Sequence, residues 1–416
     1  MDKLKVGLIG LGTVGSGVYK SLKDENVEIV KIAVRNINKP RSVEVPIEKL
    51  TDNPYDVVNN PDINVVVELM GGVEPAWEYI KVALENGKHI VTANKELLAK
   101  KGEELFNLSE KYNCVVLYEA AIAGGIPIIM PIKTILSGNK INKIQAILNG
   151  TTNYILTKMD IDGASYEDVL KEAQALGYAE ADPTGDVEGF DAAYKITTLG
   201  TIAFNSRIKF ENVYREGISK IRKEDIKRAN ELGYKIKLIA SASIDENNNA
   251  DVRVHPMLVP KTNPLAHIDY VTNAVEMTGH PIGKILLSGP GAGEFPTASS
   301  VIGDILAISR EWKTTNYLLP MMRCHHHSIA NPIKIEDTYN KYYVSITAPN
   351  AIGLIAKIGT VCANKNVSLA SILSDSTEEI ADITVITDEC LEKSIQEVIS
   401  ELDECTINSL IRVMED

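Results

Sequence analysis

The stretch LKVGLIGLGTVGSGVYKS, residues 4–21, sets Gly10, Gly12 and Gly15 in a G-x-G-x-x-G pattern between an apolar strand-like run and a helix-like one. The first glycine permits a tight turn, the second lets the backbone approach a pyrophosphate, and the third lets helix and strand pack closely. The pattern alone is weak, because glycines also end strands for packing reasons. Its place at the opening of a βαβ unit gives it meaning. Strand-like and helix-like segments go on alternating to about residue 125, as where HIVTAN runs into KELLAKKGEELFNLSEKYN. Such alternation predicts a parallel sheet with helices on its faces, and with the glycine loop it predicts a Rossmann-like dinucleotide-binding domain in an α/β protein.

Beyond it the rhythm changes. INKIQAILNGTTNYIL reads as strand, turn and helix, and SYEDVLKEAQALG as a helix with a capping box at Ser165 and Asp168. Strands then bunch together, which predicts an α+β domain built on a sheet, taken here as the substrate and dimerisation domain. ASSVIGDILAISREW reads as a helix returning to the first domain, and NPIKIEDTYNK as a polar linker. The last segment has the order βαββαβ, a ferredoxin-like unit long enough to fold as its own module. The expected division is 1–130 for dinucleotide binding with a return segment at about 296–320, 131–295 for substrate, 331–341 for the linker, and 342–416 for the module.

With 416 residues and a net charge of −13, the chain is large enough for about two or three domains and lacks the basic face a nucleic-acid binder needs. Its five cysteines are sparse and unpaired in spacing, as in a reduced compartment. The longest uncharged apolar run, 120–132, is too short to cross a bilayer, and no leader pattern opens the chain. A cytoplasmic protein without membrane or nucleic-acid partners is expected.

Cofactor choice is read after the second strand. AVRNINKPR supplies Arg35, Lys39 and Arg41 and no acid. A guanidinium suits a 2′-phosphate, so NADP is favoured over NAD; a solvated basic loop is the alternative. AEADPTGDVEGFDAAYKI, residues 179–196, then puts Glu180, Asp182, Asp186 and Glu188 ahead of an apolar helix that keeps only Asp191 and Lys195. These two are four residues apart and share one side of the helix. A buried pair has a desolvation cost, so a site holding a small cationic substrate and using a lysine for proton transfer is the sharper reading; a surface salt bridge is the bland one. Lys95 closes KHIVTANK at the carboxyl end of a parallel strand, where ligands bind, although a helix-start surface lysine is equally ordinary.

Together GLIGLGTVGSGV, VVVELMGG, HIVTANKELLA, EAAIAGGIPII, LNGTTNYIL, LGYAEADPTGDVEGFDAAYKI and GPGAGEFPTASSVIGDI resemble the homoserine dehydrogenase family over residues 1 to about 315. The resemblance implies interconversion of L-aspartate 4-semialdehyde and L-homoserine with a nicotinamide cofactor, in threonine, methionine and isoleucine biosynthesis. It implies that Glu180 and Asp191 hold the substrate ammonium, that Lys195 donates the proton, that Lys95 lies between cofactor and substrate, and that Asp186 supports them. Gly10, Gly12, Thr13, Val14, Gly15, Arg35, Gly291 and Gly293 would touch the dinucleotide. A sodium ion would be held by Glu119, Ile122, Gly124 and Ile126. The last 75 residues resemble an ACT domain, which implies an amino-acid effector; the loop APNAIGL has Asn350 where that family usually has an acid. A homodimer or homotetramer is expected. A different NADP-dependent small-aldehyde dehydrogenase and a non-catalytic amino-acid sensor are the competing readings; the acids favour a substrate ammonium over the first, and Lys95, Asp191 and Lys195 together argue against the second. Cys324 beside His325, His326 and His327 makes a poor metal site, since three adjacent histidines cannot all face one ion.

Overall fold

The computed structural model describes residues 3–312, 324, 326 and 328–415. The chain divides into two compact units, Met1–Ile144 with Ala193–Glu211 and Thr272–Ala330, and Gln145–Ala192 with Asn212–Val271 and Asn331–Asp416.

In the first unit, β1 (Leu4–Ile9), β2 (Val27–Ala33), β3 (Leu50–Thr51), β4 (Val65–Glu68), β5 (His89–Thr92) and β6 (Val116–Leu117) form a parallel sheet in the order β3-β2-β1-β4-β5-β6. This is the doubly wound order, with its switch point between β1 and β4. Strands buried on both faces read as continuous apolar runs, and β4 and β5 have every residue buried. The returning helix, Glu294–Trp312, packs Ala298, Val301, Ile305 and Ile308 into the same core as Leu4, Val6, Leu8 and Val67. A Cβ on Gly17 would lie 2.7 Å from the Glu294 carbonyl oxygen, so the two helices meet almost backbone to backbone.

The apolar stretch after β6 bends: Ala123 and Gly124 take φ of 54° and 55°, separating a short turn at Glu119–Ala121 from the helix Ile129–Lys133. The hairpin Thr272–His280 and Gly283–Pro290 groups with the first unit. Its Gly279 sits so close to Lys140 and Ile141 that a Cβ would meet them at 2.9 and 3.0 Å.

The second unit is built on the antiparallel pair Tyr234–Ile244 and Asn249–Pro260. The C-terminal module has the expected βαββαβ order: Tyr339–Pro349, Leu354–Asn364, Leu369–Ser376, Ile380–Thr387, Glu392–Glu401 and Thr406–Val413. Tyr342, Val344, Ile358, Val385, Ile395 and Val398 give it a core of its own. It is nevertheless fused to the rest of the unit. Its last strand pairs with the Asn249–Pro260 strand, Met257 with Arg412 and Leu258 with Val413. The segment expected as a linker is ordered too, Asn331 and Pro332 pairing with Asn249 and Ala250 on the same strand.

Buried charge reinforces the join. Arg412, 1% exposed, donates to both carboxylate oxygens of Glu392 at 2.8 and 2.9 Å and to Glu216 at 2.7 Å. The Tyr342 hydroxyl adds a bond to Glu392 at 2.7 Å. Asp225, fully buried, accepts from Arg222, from the Tyr343 hydroxyl at 3.2 Å and from the Ser409 hydroxyl at 2.6 Å. Removing one partner of such a cluster strands the other. Arg412→Ala should therefore cost about 3–5 kcal/mol of stability, read as a lower urea midpoint in circular dichroism.

Candidate active site

The glycine loop joins β1 to the helix Thr13–Ser21. Packing explains the outer two glycines. Gly10 has φ of 110°, and a Cβ there would lie 2.9 Å from the Leu69 carbonyl oxygen. A Cβ on Gly15 would collide with the Gly10 carbonyl. Gly12 is different: nothing lies within 4 Å of its Cβ position, so no protein contact requires a glycine there. Open space at the N-terminus of a helix whose first N–H groups need acceptors fits a pyrophosphate. The basic loop after β2 also sorts itself. Arg41 folds back on the carbonyls of Asn36, Ile37 and Lys39 and so shapes the loop. Arg35 is exposed, and nothing among the described residues engages its guanidinium. These residues fit a dinucleotide.

Gly291 and Gly293 lie just ahead of the returning helix, as the sequence placed them. The Gly125 N–H donates to the Pro290 carbonyl at 3.1 Å, bringing this loop against the 123–125 bend. Lys95 is half-buried and opens the helix Lys95–Lys111. Its N-cap is Asn94, whose side chain accepts from the Leu97 N–H at 3.1 Å.

The helix Phe190–Phe204 is buried along most of its length, and Asp191 and Lys195 are each only 8% exposed. That removes the surface salt-bridge reading. Asn149 gathers the acids: its Nδ2 donates to Asp186 at 2.7 Å and to Asp191 at 3.0 Å. Its Oδ1 caps the helix Gly150–Asp162 by accepting from the Thr152 N–H at 2.8 Å. Glu180 does not join this set. It is exposed, and only its main-chain carbonyl is bonded, by Gln174 at 3.1 Å. Asp182 caps its own turn through the Thr184 N–H at 3.1 Å.

Glu119 departs from the role expected for a sodium ligand. Its carboxylate accepts from the N–H groups of Ile128, Ile129 and Met130 at 2.5, 2.9 and 2.7 Å, which anchors it at the start of the helix Ile129–Lys133. A carboxylate held this way is matched to the positive end of a helix, not to a cation. The Gly124 carbonyl accepts from the Ser300 hydroxyl at 2.7 Å. The set fits a side-chain-anchored sodium ion poorly. Asp304 accepts from the Glu119 N–H at 2.9 Å, and burial followed by the neighbouring Glu119 charge raises its pKa well above the usual range. No group of three metal-ligating side chains occurs among the described residues. Cys324 meets the Tyr118 hydroxyl at 2.9 Å and the Lys133 ammonium at 2.7 Å, while His325 and His327 lie outside the described residues. No helix among the described residues is long and apolar enough to cross a membrane.

Three family models match in succession: "Homoserine dehydrogenase, NAD binding domain" over residues 10–119, "Homoserine dehydrogenase" over 127–306 and "ACT domain" over 342–405. The chain is 41% identical to the homoserine dehydrogenase of Synechocystis sp., covering 99% of each sequence. It is 38% identical to that of Bacillus subtilis, over 98% of this chain and 96% of the relative. The chain belongs to the homoserine dehydrogenase family. A crystal structure of the Thiobacillus denitrificans homoserine dehydrogenase superposes with a TM-score of 0.93 at 39% identity, covering 100% of this chain and 99% of that one. A hyperthermophilic archaeal homoserine dehydrogenase in complex with NADPH superposes over 74% of this chain and 98% of its own, with a TM-score of 0.63 at 28% identity.

For a homoserine dehydrogenase, the residue that reading the sequence missed is Asn149. LNGTTNYIL shows it as one more turn residue, and an Asn before a Gly-Thr-Thr run signals an N-cap and nothing further. Only the fold places its amide against two acids from another part of the chain. Asn149→Ala removes the cap and both bonds together. It should destabilise the protein by about 1–2 kcal/mol and raise KM for homoserine more than KM for the cofactor, read by thermal melts and initial rates.

Proposed function

We propose that this oxidoreductase interconverts L-aspartate 4-semialdehyde and L-homoserine with NADP(H). What carries the reading is one helix, Phe190–Phe204, which buries an acid and a lysine one turn apart in a chain of this family. When bound, the nicotinamide supplies or accepts the hydride at the aldehyde carbon. The chain's own groups do the rest. In the reducing direction Lys195 donates a proton to the carbonyl oxygen as it becomes the hydroxyl, and in the oxidising direction it takes that proton back. Asp191, oriented by Asn149, holds the substrate ammonium, with Asp186 beside it on the same amide and Glu180 reaching from the exposed segment ahead of the helix. Lys95 stands where cofactor and substrate meet.

Arg35 supports the phosphorylated cofactor, because it is the free guanidinium of its loop. A sodium ion belongs to this reading only as an ion held by main-chain carbonyls of the 122–126 bend. The ACT domain is read as a sensor of an amino-acid end product. Gly353, at φ of 89°, starts its first helix, and Asn350 donates to the Thr377 carbonyl at 2.7 Å, which closes its loop. Threonine is the first effector to test and methionine the second. A dimer or tetramer of the chain, in the cytoplasm, completes the proposal.

Lys195→Ala should lose at least ~100-fold in kcat, the lower end of what a general acid contributes, with a much smaller change in KM. Turnover within a few-fold of wild type would remove Lys195 as the proton donor. Arg35→Ala should raise KM for NADPH about 10-fold by losing a charge-assisted bond, and leave KM for NADH unmoved. Equal effects on both cofactors would take the 2′-phosphate away from Arg35.

A further inference from the structure

Glu68 ends β4 at the carboxyl edge of the parallel sheet, in register with Ile9 of β1 on one side and Thr92 of β5 on the other. It is fully buried, and no lysine or arginine among the described residues pairs with it. Both carboxylate oxygens are nonetheless used. Oε1 accepts from the Met70 N–H at 2.7 Å, and Oε2 accepts from the Thr92 hydroxyl at 2.7 Å. The Thr92 oxygen in turn accepts from the Asn94 N–H at 3.0 Å. Asn94 caps the Lys95 helix with its Oδ1 and ties down the Gly72 carbonyl with its Nδ2 at 2.6 Å. One carboxyl thus joins two loops, 69–72 and 92–95, that leave neighbouring strands on the side where the glycine loop lies.

We propose that Glu68 is a positioning residue that acts through Thr92 and Asn94 to fix Lys95 at the reacting end of the sheet. This rests on the reading of Lys95 given above. A buried carboxyl without a cation carries a desolvation cost, and burial does raise the pKa of Glu68, against the Thr92 hydroxyl and the Met70 N–H that pull it down. An apolar side chain would fill the space at less cost but could not hold the Thr92 hydroxyl. That hydroxyl links Glu68 to the N–H of Asn94, the residue before Lys95.

The test is a double-mutant cycle on the full-length enzyme. Glu68→Gln and Thr92→Val are each made with Lys95 intact and in a Lys95→Ala background, and kcat is followed with homoserine and NADP. With Lys95 present each variant should lower kcat about 10-fold, as expected of a small misplacement of a reacting group. With Lys95 gone the same changes should cost less than about 2-fold, because residues acting in one chain are not additive. Thr92→Ser, which keeps the hydroxyl, should restore most of the rate, and NADPH binding followed by fluorescence should move little. Equal losses in both backgrounds, or full kcat in both variants, would overturn the proposal while leaving Lys95 in its role. Full kcat in Lys95→Ala alone would overturn the reading of Lys95 and this proposal with it, a result read before any change at Glu68.

Discussion

Burying an acid and a lysine one turn apart on an apolar helix is the constraint on which the rest of this region depends. Neither charge is stable there without partners, and the partners have to come from elsewhere in the chain. Asn149 is the best resolved of them. It meets Asp186 and Asp191 with one amide nitrogen while its oxygen starts another helix, so helix capping and acid placement are a single device. An amide suits this position because it offers a donor to each acid without adding a charge of its own.

The dinucleotide-binding unit solves a different problem with the same economy. All six strands end their parallel run on one side, and the glycine loop, the 69–72 loop and the 92–95 turn gather there. Close backbone contact holds the pieces, with the Lys20–Glu294 ion pair at 2.7 Å beside it. Gly10 lies against Leu69 and Gly17 against Glu294, leaving no room for a side chain at either.

Local signals in the sequence carried much of this. The glycine loop, the strand–helix alternation, the N-cap at Ser165 and the apolar helix around Lys195 each show a period or a turn within a few residues, and each reappears in the structure. The burial of Asp191 and Lys195 was legible because the helix has almost no polar face on which to leave them. What escaped depends on partners far along the chain. Glu68 and Thr92 are 24 residues apart, Asn149 and Asp191 are 42 apart, and Arg412 and Glu216 are 196 apart. Glu119 illustrates the limit in the other direction: a carboxylate beside a glycine bend suits a cation in outline, and only the backbone path shows three N–H groups already claiming it. Likewise, the polar, turn-rich composition of 331–341 does not reveal that Asn331 and Pro332 pair with a neighbouring strand.

The Arg412 cluster has a meaning for how such proteins are assembled over evolutionary time. A module that carries its own core is usually portable, able to pass between genes as a bead on a string. This one shares a sheet edge and buries its arginine against an acid that belongs to another segment. Moving it to a new host would mean moving Glu216, Asp225 and the strand around Leu258 as well. A chimera cut near residue 342 would part Arg412 from Glu216 and leave Met257 and Leu258 without their pairing strand.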